Sequence, residues 1–350
     1  MLKIETRYLR QVQEAATAAE LCVLVQNAIE LEHSTIPPYL TAMISLKPEK
    51  NREIWEVIHS VVIEEMLHMT IAANLMNALG GEPQINTPEF VPTYPGPLPM
   101  SVGDGLIVGL ERFSRDQVKN VFMAIEEPED PLEFPVAALA TAATVPEFAT
   151  IGQFYGAIRE KILELPDDEL PGDPARQVVD PRLFPADELF AIRDKEQAVA
   201  AIDLIVEQGE GTEESPLDPD GGYAHYYRFE ELYVGRRLVK DDAVPQGYSF
   251  SGPPFPFEKD DVWPLAANTK AAQLPPGSEP RRQADQFNFV YGKLLNGLHR
   301  SFNGDPGFLQ STLGLMYDVK LVGERLASMD FPGRAGETVG PPFEYSDVNR

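Results

Sequence analysis

The chain has a single cysteine, Cys22, in 350 residues. Intrachain disulfides, thiolate zinc sites and iron–sulfur clusters held by this chain alone are thereby excluded, and any metal must be held by Glu, Asp and His. Positive charge is also scarce: 29 Lys and Arg stand against 55 Asp and Glu, a formal net charge of −26. Nucleic acids and anionic membranes are polyanions that bind proteins mainly through Lys and Arg, so neither is expected as a partner. No apolar run is long enough to cross a bilayer, and the opening "MLKIETRYLRQVQEAATAAE" lacks a positively charged start followed by an apolar segment. A soluble, cytoplasmic protein is expected. A phosphate loop, a dinucleotide-binding glycine fingerprint and a convincing nucleophile elbow are all missing, and the 5 histidines are few for a three-histidine zinc site. A nucleotide enzyme or a serine hydrolase is disfavoured on those grounds.

What is present is helix. The chain reads as helical from about Thr17 to Ala78, with a break at "LKPEKN", Leu46–Asn51. A proline-rich section, residues 82–185, holds two modest helices near Arg115–Ile125 and Glu147–Leu165. A longer helix is expected from about Asp187, with acidic residues in its first turn and Gly209 and Gly211 at its end. "YAHYYRFEELYVGRRL" forms another, and a second proline-rich crossover, residues 244–280, leads to helices at Arg282–Asn303 and Gly307–Met329. Alternating strands are scarce, so the fold class is mostly α. The connections are too long for idle loops in a compact domain and should cover or line something.

Charges fall inside the apolar stripes. At about 100° per residue, Ile54, Val57, Ile58, Val61, Ala72, Leu75, Met76 and Leu79 gather in one arc, and Glu65 lies within roughly 20° of Ile54 and Ala72. His68 lies about 60° further round, still inside the arc, while Glu64 falls at its edge. On the preceding helix, Leu21, Leu24, Val25, Ala28 and Tyr39 define an arc with Glu32 near its centre and His33 at the margin. An unpartnered buried carboxylate costs several kcal/mol or protonates, so the core must supply a cation, a hydrogen-bond network or a metal. A Glu and a His three residues apart can reach one ion, and a carboxylate from a neighbouring helix can bridge two. Such donors suit iron or manganese better than calcium. The alternative is a metal-free polar network in which Glu65 and His68 pair with each other or with an arginine.

Glu32 on one helix and Glu65-x-x-His68 on the next resemble the first half of the ferritin-like carboxylate bundle, in which two helices each give a Glu and two each give a Glu-x-x-His. More narrowly, "ELEHSTIPPYLTAM", "EEMLHMTIAANLMNALGG", "PTYPGPLP", "TIGQFYGAI", "EQGEG", "HYYRFEEL" and "GPPFEY" are similar to the ferritin-like family named after iminophenylpyruvate dimer synthase, of violacein-type bisindole biosynthesis. The resemblance runs across nearly the whole chain. It implies a ferritin-like helical bundle with an inserted crossover over residues 1–235 and a C-terminal helical extension packed on it over residues 236–350.

For the second half of the site, the bundle pattern points to Glu207 and Glu210 in "IVEQGEG", which share an arc with Glu196 and Asp203. An ordinary solvated acidic face gives the same arc. His225 is the best candidate for the missing imidazole, against packing among Tyr223, Tyr226 and Tyr227. No second Glu-x-x-His exists, and Gln153 stands where the family is expected to place an acid. Pro37 and Pro38 should kink the helix carrying Glu32. Tyr39, Tyr94, Phe154, Tyr155, Tyr226 and Tyr227 could line a substrate pocket or simply fill core. The leading expectation is a non-haem iron oxidoreductase holding one or two ions, with manganese as the other candidate, through Glu32, Glu65, His68, Glu207, Glu210 and His225. It would act on an aromatic or amino-acid-derived small molecule, as a single chain or a homo-oligomer. Iron storage without a substrate and a metal-free partner module are the other readings.

Overall fold

The computed structural model describes residues 6–101, 105–128, 131–134, 151–211, 215–219 and 221–348. After a short helix α1 (Thr6–Glu14), the long helices α2 (Ala18–Ser45) and α3 (Arg52–Ala78) form an antiparallel hairpin that is the centre of the molecule. Thr17 caps α2: its hydroxyl accepts from the Glu20 N–H while the Glu20 carboxylate accepts from the Thr17 N–H. The turn at Lys47–Asn51 ends in left-handed Asn51, which starts α3 and whose side chain donates to the Glu258 carbonyl. Gly80, at φ +83°, closes α3: its N–H reaches the Asn77 carbonyl and the Gly81 N–H reaches Met76, the paired bonds of a Schellman stop.

Helix α2 continues through Pro37 and Pro38. Proline has no N–H, so Pro38 leaves the Ser34 carbonyl without its helical donor. The Tyr94 hydroxyl supplies that donor, at 2.6 Å from Ser34 O. Tyr94 therefore ties the proline-rich crossover to the helix that carries Glu32.

Helix α4 covers residues 115–125 and includes a π-helical turn at Val118–Phe122. Helix α5 (Ile151–Glu164) packs on α6 (Lys195–Glu210) and α1, and α6 and α7 (His225–Val234) both pack on α3. The start of the helix expected from 147 lies outside the described residues. Helix α6 starts eight residues later than expected from the acidic run at Asp187. Its cap is Asp194, which accepts from the Gln197 N–H, and the preceding chain is drawn out against the 168–170 segment, with Leu170 N–H bonded to Arg193 O. Gly211, at φ +75°, follows its last turn. Helices α8 (Glu279–Phe302) and α9 (Leu309–Ala327) pair with each other, α8 against α3 and α9 against α2. Among the described residues, sheet is limited to an antiparallel pair, β1 (Val239–Lys240) and β2 (Tyr248–Ser249). No helix of the described chain is long and apolar enough to cross a membrane.

Candidate metal centre

Helices α2 and α3 send Glu32, Glu65 and His68 inward, and all three are buried. They meet His225 from the first turn of α7 and Glu126 from the end of α4, both also buried. His225 Nδ1 lies 3.0 Å from Glu65 Oε1 and 3.4 Å from Glu126 Oε2. His68 Nδ1 lies 3.7 Å from Glu32 Oε2 and 3.9 Å from Glu65 Oε1. The two imidazoles lie nearly parallel with centroids 5.4 Å apart. Between Glu32, Glu65, His68 and Glu126 and the side chains of Leu31, Ile125, Ile205 and Val206 is a cavity of about 40 Å³.

Every member of the cluster is held from outside. The Tyr39 hydroxyl donates to Glu126 Oε1 at 2.5 Å, Tyr155 donates to Glu32 Oε1 at 2.5 Å, and Thr35 donates to Glu65 Oε2 at 2.6 Å. Burial and the adjoining carboxylates raise both phenols well above their usual pKa, so they remain donors. The outer nitrogen of each imidazole faces an acceptor: His68 Nε2 lies 2.9 Å from Gln208 Oε1, and His225 Nε2 lies 2.9 Å from Glu64 Oε2. Glu64 is clasped in turn by Arg228 at 2.7 Å, whose other terminal nitrogen reaches Asp218 at 2.7 Å. Burial alone would raise the Glu64 pKa, but His225 and Arg228 override it and hold the carboxyl at about 2.

The inner side is electrostatically unbalanced. Burial, then the charges of Glu126 and Glu32, pushes Glu65 up to about 7 against the pull of His225. Burial lowers the affinity of both imidazoles for a proton, yet the surrounding carboxylates outweigh it and raise His68 and, much further, His225. His225 Nδ1 meets no hydrogen-bond partner in usable geometry despite its short distance to Glu65. With the outer nitrogen of each ring donating to Gln208 or Glu64, a neutral ring would turn its inner lone pair toward carboxylates, and without a metal a proton there relieves the repulsion. A cation between them resolves that conflict, and an imidazole tied at its outer nitrogen is the usual arrangement of a metal-ligating histidine. Glu65, His68 and His225 offer donor atoms all within 4.8 Å of one another. The donor set fits a first-row transition metal, and binding one would displace the protons that otherwise balance the site.

The residues proposed from sequence do not all converge. Glu210 lines the cavity from the end of α6, where its Oε1 accepts the Gly152 N–H at 2.9 Å. Glu207 lies neither in the cluster nor along the cavity wall. The buried face of α6 is Ala198, Ala201, Ile202, Ile205 and Gln208, so the residue it aims at His68 is Gln208, about 100° round the helix from Glu207. From α5 it is Tyr155, two residues beyond Gln153, that reaches the site. Glu126 lies one residue beyond the helix expected near Arg115–Ile125, in the proline-rich run that opens with "EEPED". The signal was its i+4 spacing from Phe122, itself i+4 from Val118, on a buried face.

A ferritin-like family model matches residues 25–234, which carry every residue of this cluster. The chain belongs to the ferritin-like family. Its fold resembles a ferritin-like protein from Caulobacter vibrioides solved at 1.95 Å, with a TM-score of 0.59 at 23% identity over 93% of this chain and 97% of that one. Dichlorochromopyrrolate synthase of Lentzea aerocolonigenes is 25% identical over 82% of this chain. The ferritin-like chain spans only 29% of that synthase's length.

The same helix α7 that delivers His225 carries a partly buried carboxyl, that of Glu230. Glu230 Oε2 has no hydrogen-bond partner, and burial, helped by Glu133, pushes the group up to about 8 from 4.5. Between those values the folded chain keeps a proton that the unfolded chain has lost, so this carboxyl makes stability fall as pH rises. Glu230→Gln is expected to stabilise the protein at pH near 8.5 by on the order of 2 kcal/mol, and to change it little at pH near 4. Urea unfolding at the two pH values measures the difference.

Proposed function

We propose that this chain is a non-haem iron oxidoreductase, acting on an aromatic or amino-acid-derived molecule. The observation that carries the reading is the pairing of a basic inner nitrogen on both His68 and His225 with an acceptor on the outer one, around the buried carboxylate Glu65. Two histidines and one carboxylate with room beside them are the donor set of many iron(II) oxygenases. Glu65, His68 and His225 would hold the iron, and Glu32 and Glu126 extend the donor set toward a second ion. Iron held there supplies one-electron exchange with an oxidant. Kinship to a protein named as a synthase of dichlorochromopyrrolate supports the aromatic substrate class.

The chain's own residues divide the remaining work. Tyr39, Tyr155 and Thr35 fix the carboxylate orientations by donating to one oxygen of each. Gln208 and Glu64 fix the imidazole tautomers. Leu31, Ile125, Ile205 and Val206 form the apolar part of the wall of a cavity of about 40 Å³, room for a diatomic or water-sized molecule beside the donors. Adding iron(II) to metal-free protein under oxygen, with an oxygen electrode as readout, is expected to give oxygen uptake proportional to bound iron. Iron that binds at this site and consumes no oxygen would overturn the oxidoreductase reading.

The donors behind the site give a smaller, separate prediction. Tyr155→Phe keeps the ring and removes the hydroxyl that holds Glu32, so metal affinity should fall roughly 10–100-fold with folding preserved. Competitive metal titration with a coloured chelator reads the change.

A further inference from the structure

The two imidazoles of the cluster are backed by unlike groups. His225 is set between consecutive glutamates of α3, its inner Nδ1 3.0 Å from Glu65 and its outer Nε2 2.9 Å from Glu64. His68 has a glutamine instead: its outer Nε2 lies 2.9 Å from the side-chain oxygen of Gln208, on α6. Both backing residues hold their ring in place, since each offers an oxygen at the same distance. Only Glu64 brings a charge.

That charge is secured by an ordered line of side chains. Arg228 donates to the other oxygen of Glu64, Oε1, at 2.7 Å and to the Ser60 hydroxyl at 3.2 Å. Its second terminal nitrogen reaches Asp218 at 2.7 Å, and Asp218 also accepts the Gly222 N–H at 2.8 Å. Asp218, Arg228, Glu64 and His225 thus form one chain that ends on the inner nitrogen of the imidazole. The Glu64 side chain is 20% exposed and Gln208 is 1% exposed. The charged support therefore stands at the rim, and the neutral one stands in the core, where a further ionised carboxylate is costly.

An imidazole that donates to a carboxylate is a more basic ligand at its other nitrogen than one that donates to an amide. A more basic ligand favours the more highly charged form of a metal, and hydrogen bonds behind the ligands are a lever on reduction potential. We propose that Glu64 is a positioning residue that also sets the reduction potential of the iron centre: through His225 it stabilises the ferric over the ferrous form, while Gln208 holds His68 without adding to that pull. This inference rests on the reading of the cluster as an iron site.

Glu64→Gln keeps an oxygen for His225, as Gln208 does for His68, and removes the charge. Spectroelectrochemical titration of the iron-loaded, full-length variant should show the ferric form weakened about tenfold relative to the ferrous one, an upward shift of about 59 mV. Gln208→Glu should shift the potential downward, and the exchange variant Glu64→Gln/Gln208→Glu should return it toward the unmodified value. A residue that merely held the ring would leave the potential where it was. Thermal melting checks that the variants fold. Heteronuclear NMR of the unmodified, zinc-loaded protein needs no substitution: the ring N–H proton of His225, donating to a carboxylate, should resonate downfield of that of His68. Iron bound at an unchanged or lowered potential in folded Glu64→Gln, or ring protons in equal or reversed positions, would overturn this proposal and leave the metal centre standing. Unmodified protein that binds neither iron nor zinc would overturn the centre and the proposal together.

Discussion

Glu65→Ala is expected to abolish metal binding. Glu65 is the residue on which the cluster converges: His225 lies 3.0 Å from its Oε1, His68 lies 3.9 Å away, and Thr35 fixes its other oxygen. Removing it leaves two imidazoles with no carboxylate between them. The loss should exceed the roughly 10–100-fold that deletion of an outer-shell partner costs. Glu32→Ala should also lower the metal content, through the loss of the carboxylate 3.7 Å from His68. Because burial and neighbouring negative charge strain Glu65 in the metal-free state, pushing it up to about 7, Glu65→Ala is not expected to destabilise the metal-free fold in proportion. Parallel elemental analysis and urea unfolding separate the two effects: metal lost with stability retained is the expected result, and metal retained at the wild-type level in both variants would refute the assignment.

Arg228→Met is expected to destabilise the fold by about 3–5 kcal/mol. Its guanidinium bridges Glu64 and Asp218 and also donates to the Tyr223 carbonyl. Asp218 is buried, and the Glu64 side chain is only 20% exposed, so solvent can replace the lost cation at neither fully. Methionine keeps most of the volume, which confines the effect to charge and hydrogen bonding. Combining it with Glu64→Gln should recover part of the loss, since one of the two stranded carboxylates is then neutral. Strictly additive losses in the double variant, measured by denaturant unfolding, would show that the pair is not coupled. The same substitution should loosen His225, because Glu64 is the acceptor at its outer nitrogen.

The inward placement of Glu32, Glu65 and His68 could be read from the wheel because α2 and α3 are long, regular helices, and each polar residue falls among apolar neighbours at 3.6 spacing. Glu64, read at the edge, lies there between His225 and Arg228. Helices α8 and α9 were legible for the same reason. The far half of the site was harder. Gln208 is neutral and sits between two acids, so only the apolar period of α6 marks it as inward-facing. Glu126 depends on where a crossover is folded back, with a π turn in α4: its i+4 spacing from Phe122 marks a buried face, but not the cluster that this face meets. The acidic run at Asp187 suggests a helix N-terminus, but the chain makes only a turn at 185–189 and is then drawn out by the pairing of 168–170 with 193–195. Local rules located what one helix decides, and missed what tertiary contacts decide.

A cage that stores iron and a metal-dependent enzyme would share this cluster but differ in stoichiometry. The central claim is that His68, His225 and Glu65, with Glu32 and Glu126 beside them, hold iron. Elemental analysis of the protein purified from iron-supplemented cells, with oligomer mass measured in parallel, tests it most directly. The account predicts one or two iron ions per chain, lost in Glu65→Ala; protein that is folded and free of iron or manganese, or that carries many ions per chain in a hollow assembly, would contradict it.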